Sequence, residues 1–232
     1  MVFHLKYFRN PSQSFVRRAK WLLIALASLP FLRMAIGFPF GWLGINPIEY
    51  ITRSTGTWTI VSLVVTLSIT PLRKLTQWHW LLRLRRTTGL ITFFYVTLHF
   101  ITWIWLDRFF DVDEVLKDIV KRPFITVGFT AFVLMIPLAI TSNNASIKRL
   151  GAATWQRIHY LVYVIAILAS AHFIWLARRN PNEPYIYAAI FALLLGARIY
   201  WKWLKQKAAA TKPMATVAVA PAANTSSAIT TK

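Results

Sequence analysis

The sequence predicts an all-α fold: a polytopic transmembrane helix bundle of six spans, with both termini cytoplasmic. The 232 residues are 56% hydrophobic with a mean hydropathy of +0.49, which is more apolar than ordinary globular domains. The apolar residues gather in runs close to the roughly 17 to 25 residues that cross a bilayer. The 27 Lys and Arg, against 7 Asp and Glu, cluster between these runs. Membrane topology therefore accounts for the positive charge, and no nucleic-acid partner is expected.

Six apolar runs are the candidate spans. The second run is short for a full span, but the preceding Thr55, Gly56 and Thr57 can extend its helix. The predicted spans are Trp21 to Phe38, Trp58 to Leu72, Gly89 to Leu106, Phe124 to Thr141, Ile158 to Ala177, and Tyr185 to Trp203.

The distribution of charge predicts the orientation of these spans. When the loops are assigned to alternate sides, 18 Lys and Arg fall with the two termini and 7 on the other side, leaving out Arg33 and Arg198 inside spans. All 7 Asp and Glu share the side with fewer cations. The positive-inside rule therefore places both termini in the cytoplasm.

The chain divides into three predicted segments. Residues 1–20 form a basic cytoplasmic lead, and residues 21–204 form the transmembrane domain, in which lipid surrounds the spans. Residues 205–232 are rich in Ala and Thr without hydrophobic periodicity, so we expect a disordered cytoplasmic tail.

The outer loop between the third and fourth spans carries most of the acidic residues. Its apolar residues recur at roughly helical spacing, which predicts a short amphipathic helix on the outer surface. That helix is either a docking site for a partner or a solvated loop helix without one. The residues that carry the pattern are Val112, Val115, Leu116, Ile119 and Val120.

The absence of certain residue types and motifs limits the cofactors and metal sites that this chain can contain. The chain has no cysteine, which excludes disulfides, cysteine-ligated iron–sulfur clusters and covalent haem attachment through C-x-x-C-H. A bound metal must use histidine or oxygen ligands. No Gly-rich phosphate loop or dinucleotide fingerprint is present, so we expect no nicotinamide-binding domain in this chain.

Two histidines inside spans lie at matching depth. His99 is seven residues before Leu106 and His172 is five before Ala177, which places both roughly 8 to 10 Å inside the outer boundary. Two imidazoles at one level on different helices are what a haem iron needs for its axial ligands. The alternative is a pair of core histidines bonded to the backbone or to each other.

His159 lies near the cytoplasmic boundary, 13 residues before His172, so one haem cannot use both. Arg85 stands 14 residues before His99, where a fourth ligand would be. A guanidinium is a poor axial ligand but a good partner for a haem propionate, a flavin phosphate or a quinone oxygen. The inner site could therefore hold a weakly ligated second haem, a quinone or a flavin. Because a 13-residue step turns an ideal helix by about 140° from the starting face, two stacked haems would require helix distortion or different orientations.

Several short motifs, in this order, resemble those of the MsrQ (formerly YedZ) family, within the broader ferric-reductase-like transmembrane group. The resemblance covers roughly residues 20–204. The matching stretches are Ile69-Thr-Pro-Leu72, Leu84-Arg-Arg-Thr-Thr-Gly-Leu90, Thr97-Leu-His99, Arg122-Pro-Phe-Ile-Thr126, Leu138-Ala-Ile-Thr-Ser142, Trp155-Gln-Arg-Ile-His159 and His172-Phe-Ile-Trp175.

The resemblance implies a membrane subunit with haem b, one or two per chain, in the bacterial inner membrane. It implies electron transfer from quinol to a periplasmic molybdenum-containing reductase that repairs methionine sulfoxide in oxidised proteins. The family is also described as associated with FMN, which makes a cytosolic flavin reductase a further candidate partner. The family's membrane histidines correspond to His99, His159 and His172, and its basic residue before the third span to Arg85.

Two other functions stay open at this point. One is a stand-alone membrane ferric or cupric reductase whose substrate meets the outer haem directly. The other is a transporter or scaffold without redox chemistry, in which the histidines are structural and the purified protein is colourless. As an electron-transfer subunit, by contrast, the chain is expected to have no activity of its own on the final substrate.

Overall fold

The computed structural model describes residues 11–176 and 182–210, and this part of the chain is built from helices with no strand. The eight α-helices are α1 (Gln13–Gly37), α2 (Pro47–Thr76), α3 (Arg85–Thr102), α4 (Val112–Lys121), α5 (Pro123–Ile140), α6 (Asn144–His159), α7 (Leu161–Leu176) and α8 (Asn182–Ala210). A 3-10 helix, His79–Leu84, precedes α3, and a π-helical turn, Trp103–Asp107, follows it.

Six helical stretches within the described residues are long and apolar enough to cross a membrane, which confirms the predicted six-span bundle. They are α1, α2, α3 with its two flanking turns, α5, α6 together with α7, and α8. Large apolar side chains such as Trp21, Leu29 and Ile167 face outward, as expected where lipid replaces water. The protein is a multi-pass membrane protein.

Polar residues mark where several helices begin. Ser12 caps α1 by accepting a hydrogen bond from Phe15 N at 3.2 Å, and Asn46 caps α2 by accepting one from Glu49 N at 3.1 Å. Asp111 caps α4 and Asn143 caps α6 in the same way. Each cap satisfies a backbone N–H that has no partner inside its helix.

The fifth predicted span differs from the structure at its N-terminal end. The apolar run predicts one helix that starts at Ile158, whereas the chain is already helical in α6, which ends at His159. Tyr160, the one residue between α6 and α7, keeps helical φ and ψ. The sequence predicts a loop for the segment that forms α6, because many of its residues are polar or small. Gly151 adopts a φ of 74° inside α6 and breaks its regularity, a conformation that glycine tolerates without strain.

The hydrophobic core forms where α2, α5, α7 and α8 meet. Small side chains on α5 and α7, Ala131 and Ala166, let neighbouring helices approach closely. The most extensive packing is that of α2 on α3 and of α5 on α7. The buried core residues are Ile60, Leu63, Leu67, Ala131, Met135, Ile165, Ala166 and Phe191.

The described residues divide into two compact units, one ending at Arg198 and one beginning at Ile199. The first contains the bundle core. In the second, Tyr200 and Trp203 stack with ring centroids 6.2 Å apart, and the Lys207 amine lies 5.2 Å from the Trp203 ring centroid. Helix α8 continues to Ala210, so it includes the first residues of the predicted disordered tail. The rest of that tail and half of the basic lead lie outside the described residues.

The amphipathic loop helix predicted between the third and fourth spans is confirmed as α4. Val112, Leu116 and Val120 lie on its exposed side. On its inner side, the Asp118 side chain is only 6% exposed and forms ion pairs with Arg108 and Arg122. These pairs tie α4 to the chain segments before and after it.

We expect Asp118→Asn to loosen α4 by about 3 kcal/mol, because removing one charge from a buried ion pair leaves its partners uncompensated. Hydrogen–deuterium exchange of the α4 amides should become roughly a hundredfold faster. Asp113→Asn, an exposed change on the same helix, should leave exchange within a few-fold of wild type. Equal exchange in the two variants would contradict a structural role for the Asp118 pairs.

Candidate functional site

His99 lies near the end of α3, where its ring is fixed by the first turns of α2. Its Nδ1 lies 2.9 Å from the backbone oxygen of Thr52 and 3.3 Å from Thr55 Oγ1. A carbonyl oxygen can only accept, so Nδ1 carries the proton and donates. Nε2 is left with its lone pair, which is the form in which imidazole binds a metal.

His172, near the end of α7, is held in the same way by the start of α5. Its Nδ1 donates to the backbone oxygen of Phe124 at 2.7 Å. Its Nε2 therefore also retains a lone pair. Carbonyl groups of two further helices thus hold both histidines in the neutral form that can bind a metal.

Two glycines make room for these rings. A Cβ added at Gly56 would lie 3.2 Å from Cε1 of His99, and one added at Gly128 would lie 2.7 Å from Cε1 and Nδ1 of His172. Each glycine stands four residues after the carbonyl that holds the histidine. Both α2 and α5 therefore contain the same arrangement, a carbonyl oxygen that holds a histidine and, four residues later, a glycine that leaves space for the ring. Neither glycine was among the predicted site residues, although glycine within a span was the available signal.

The imidazole rings of His99 and His172 lie close together in an edge-to-face arrangement. Their centroids are 6.3 Å apart and their planes meet at 75°. A metal–imidazole bond is about 2.0 Å and a ring nitrogen lies roughly 1.2 Å from its ring centre, so two axial imidazoles on one iron have centroids roughly 6.4 Å apart. The spacing and the lone pairs of His99 and His172 therefore fit a site in which these two residues would hold one haem iron.

Aromatic rings from α3 and α5 pack against one another around Phe100, the residue after His99. Phe100 lies 4.5 Å from Phe132 and 5.6 Å from Phe129, measured between ring centroids. Phe93 stacks on Phe132 with an angle of 5° between the ring planes. These rings form an apolar wall of the kind that packs against a flat macrocycle.

His159 and Arg85 belong to the other end of the bundle. His159 Nδ1 lies 3.0 Å from the backbone oxygen of Trp155, and the two side-chain rings stack at 3.9 Å. Arg85 is the first residue of α3 and interacts electrostatically with His159. Fourteen residues of α3, or roughly 20 Å, separate Arg85 from His99.

Comparison with known proteins decides the family. A family model described as the ferric reductase like transmembrane component matches residues 55–170. A protein of Herminiimonas arsenicoxydans named protein-methionine-sulfoxide reductase heme-binding subunit MsrQ is 53% identical over 208 residues, covering 89% of this chain and 93% of that protein. The chain belongs to the MsrQ family.

Relatives of the same name from other bacteria are similar to the chain over comparable lengths. One from Ralstonia nicotianae is 54% identical over 190 residues, covering 81% of this chain and 86% of its own. One from Bordetella pertussis is 46% identical over 202 residues, covering 84% of this chain and 95% of that protein. No solved structure matches this MsrQ-family chain.

Proposed function

We propose that this protein is a membrane b-type cytochrome that passes electrons from the quinol pool to a periplasmic molybdenum-containing reductase subunit. That partner would reduce methionine sulfoxide in oxidised periplasmic proteins. The relatives named above are heme-binding subunits of methionine sulfoxide reductases. The observation that carries the proposal is the 6.3 Å separation of the His99 and His172 rings.

In this proposal His99 and His172 would hold a haem b, which would supply one-electron transfer. Thr52 and Phe124 hold the two rings through their carbonyl oxygens. A hydrogen-bond acceptor at Nδ1 fixes the orientation of the ring and raises the basicity of Nε2. The two ligand helices are thereby braced before any cofactor binds.

His159 and Arg85 form the proposed inner site. Their proximity supports a cofactor there, which could be a second haem, FMN or a quinone. The same end of the bundle carries most of the Lys and Arg, which supports its placement on the cytoplasmic side of a bacterial inner membrane. The pair of His99 and His172 would then lie toward the periplasm, on the side of α4.

The acidic residues at the outer end support docking of a soluble partner. All seven Asp and Glu lie in the segments that join spans at this end or at the adjoining helix ends. Complementary charge speeds the encounter of redox partners. A basic surface on the periplasmic reductase is therefore expected.

The proposal is tested with wild-type protein purified in mild detergent. We expect a b-type reduced-minus-oxidised spectrum, reduction by a soluble quinol analogue, and reoxidation by the periplasmic reductase of the same system. A properly folded but colourless protein would overturn the electron-transfer function.

A stand-alone ferric or cupric reductase is the second candidate, favoured by the ferric-reductase-like family match. It predicts rapid reoxidation by ferric or cupric chelates without any protein partner. Reoxidation by the chelates alone would favour this candidate, and reoxidation by the molybdenum subunit alone would favour the first.

A further inference from the structure

Arg198 is a partly buried cation inside the last span. Its Nη1 donates to the backbone oxygen of Leu194 at 3.1 Å, and its Nη2 donates to that of Leu67 at 2.5 Å. The guanidinium carbon lies 5.6 Å from the ring centroid of Tyr163. These partners are neutral dipoles and a π face, so they orient the guanidinium without cancelling its charge.

No side-chain carboxylate of the described residues is available at this end of the bundle. All seven Asp and Glu lie at the other end. The neighbours of Arg198 add positive charge instead. Leu67 follows Thr66, whose hydroxyl oxygen lies 3.3 Å from that of Thr92 on α3. Arg85 lies about two turns before Thr92 on that helix and interacts electrostatically with Arg198. Nε of Arg73, near the same end of α2, is buried with no hydrogen-bond partner among the described residues.

An uncompensated cation in a membrane-spanning segment is costly. The cost is reduced when an anion with several oxygens pairs with it, because a guanidinium presents a planar fork of donors. Backbone carbonyls occupy two of the five N–H donors of Arg198. The remaining donors, with Arg85, can bind such an anion.

We propose that Arg198 and Arg85 form a binding site for the carboxylate or phosphate group of a membrane-embedded ligand. The chemistry is shared by a haem propionate, the phosphate of FMN and the headgroup of an anionic phospholipid. This proposal adds a ligand-binding role to the inner site of His159 and Arg85. It rests on the proposed function only if the ligand is haem or FMN. Binding of a phospholipid requires no redox role.

The test compares Arg198→Gln, Arg198→Lys and Arg85→Gln with the control Arg33→Gln. Arg33 is also an arginine within a candidate span, but it lies 5.9 Å from the Tyr50 ring centroid near the other end of the bundle. Haem and flavin are extracted and quantified, and retained phospholipid is identified by native mass spectrometry. FMN and riboflavin are then titrated, because they differ in the phosphate.

We expect Arg198→Gln and Arg85→Gln to weaken the same anionic ligand by about tenfold or more, as loss of a charge-assisted hydrogen bond implies. Arg198→Lys should restore part of the binding, and Arg33→Gln should leave it unchanged. The ligand that is lost identifies the source of the anionic group. Loss of haem indicates a propionate, and loss of FMN but not of riboflavin indicates the FMN phosphate. Loss of phosphatidylglycerol but not of phosphatidylcholine indicates a lipid headgroup.

Wild-type amounts of all three ligands in both Arg198→Gln and Arg85→Gln would overturn the proposal. Thermal unfolding of each variant separates this result from misfolding, and Arg85 is exposed, so its replacement leaves the core intact. The outer histidine pair is monitored separately by its low-spin spectrum. Absence of that spectrum in the wild-type protein would instead refute the proposed function.

Discussion

His99→Ala and His172→Ala should each abolish the low-spin b-type spectrum. Removing one axial ligand leaves the iron with a single imidazole, which favours high-spin haem or release of the cofactor. Loss of a hydrogen-bond partner to a metal ligand alone costs about 10- to 100-fold in affinity, so loss of a ligand should cost more. The measurement is the haem-to-protein ratio with the reduced-minus-oxidised spectrum of each variant.

His79→Ala is the matched control, because His79 is exposed in the 3-10 helix before α3. It should retain the wild-type spectrum. His159→Ala should keep the outer low-spin signal and remove only a contribution from a second haem. If His99→Ala and His172→Ala folded normally and kept full low-spin haem, the assigned ligands would be wrong.

The helical bundle and the histidine pair follow from simple features of the sequence. Apolar run length predicts the spans, and alternate spans run in the same direction, so the depth of His99 can be compared with that of His172. The structure brings these two rings together as expected. That comparison succeeds because it needs only the rise per residue of a helix.

Other features depend on tertiary packing and could not be predicted from the sequence. The helical segment α6, with its kink at Gly151, lies before the apolar run, so hydropathy alone does not assign it to the helix. The carbonyls of Thr52 and Phe124 carry no side-chain signal, since every residue has a carbonyl. Only packing selects which of them meets a histidine.

Among substitutions that leave both histidines in place, Gly128→Ala should have the largest effect on the arrangement of His99 and His172. The new Cβ would lie 2.7 Å from two atoms of His172, closer than side chains pack, so the ring or α5 must shift. Overpacking of this kind costs about 1 to 3 kcal/mol. Since the ring is also held by the Phe124 carbonyl, we expect a weakened hydrogen bond and a changed angle between the imidazole planes.

Electron paramagnetic resonance of the ferric protein is sensitive to that angle. The largest of the three g values is higher when the imidazole planes are nearly perpendicular than when they are parallel. Wild type, with planes at 75°, should show the larger value, and Gly128→Ala should shift it or become high-spin. Gly56→Ala should have a smaller effect, since its Cβ would lie 3.2 Å from His99. Gly89→Ala meets open space and should be neutral or slightly stabilising. Equal spectra for Gly128→Ala and Gly89→Ala would show that the close approach of Gly128 does not position His172.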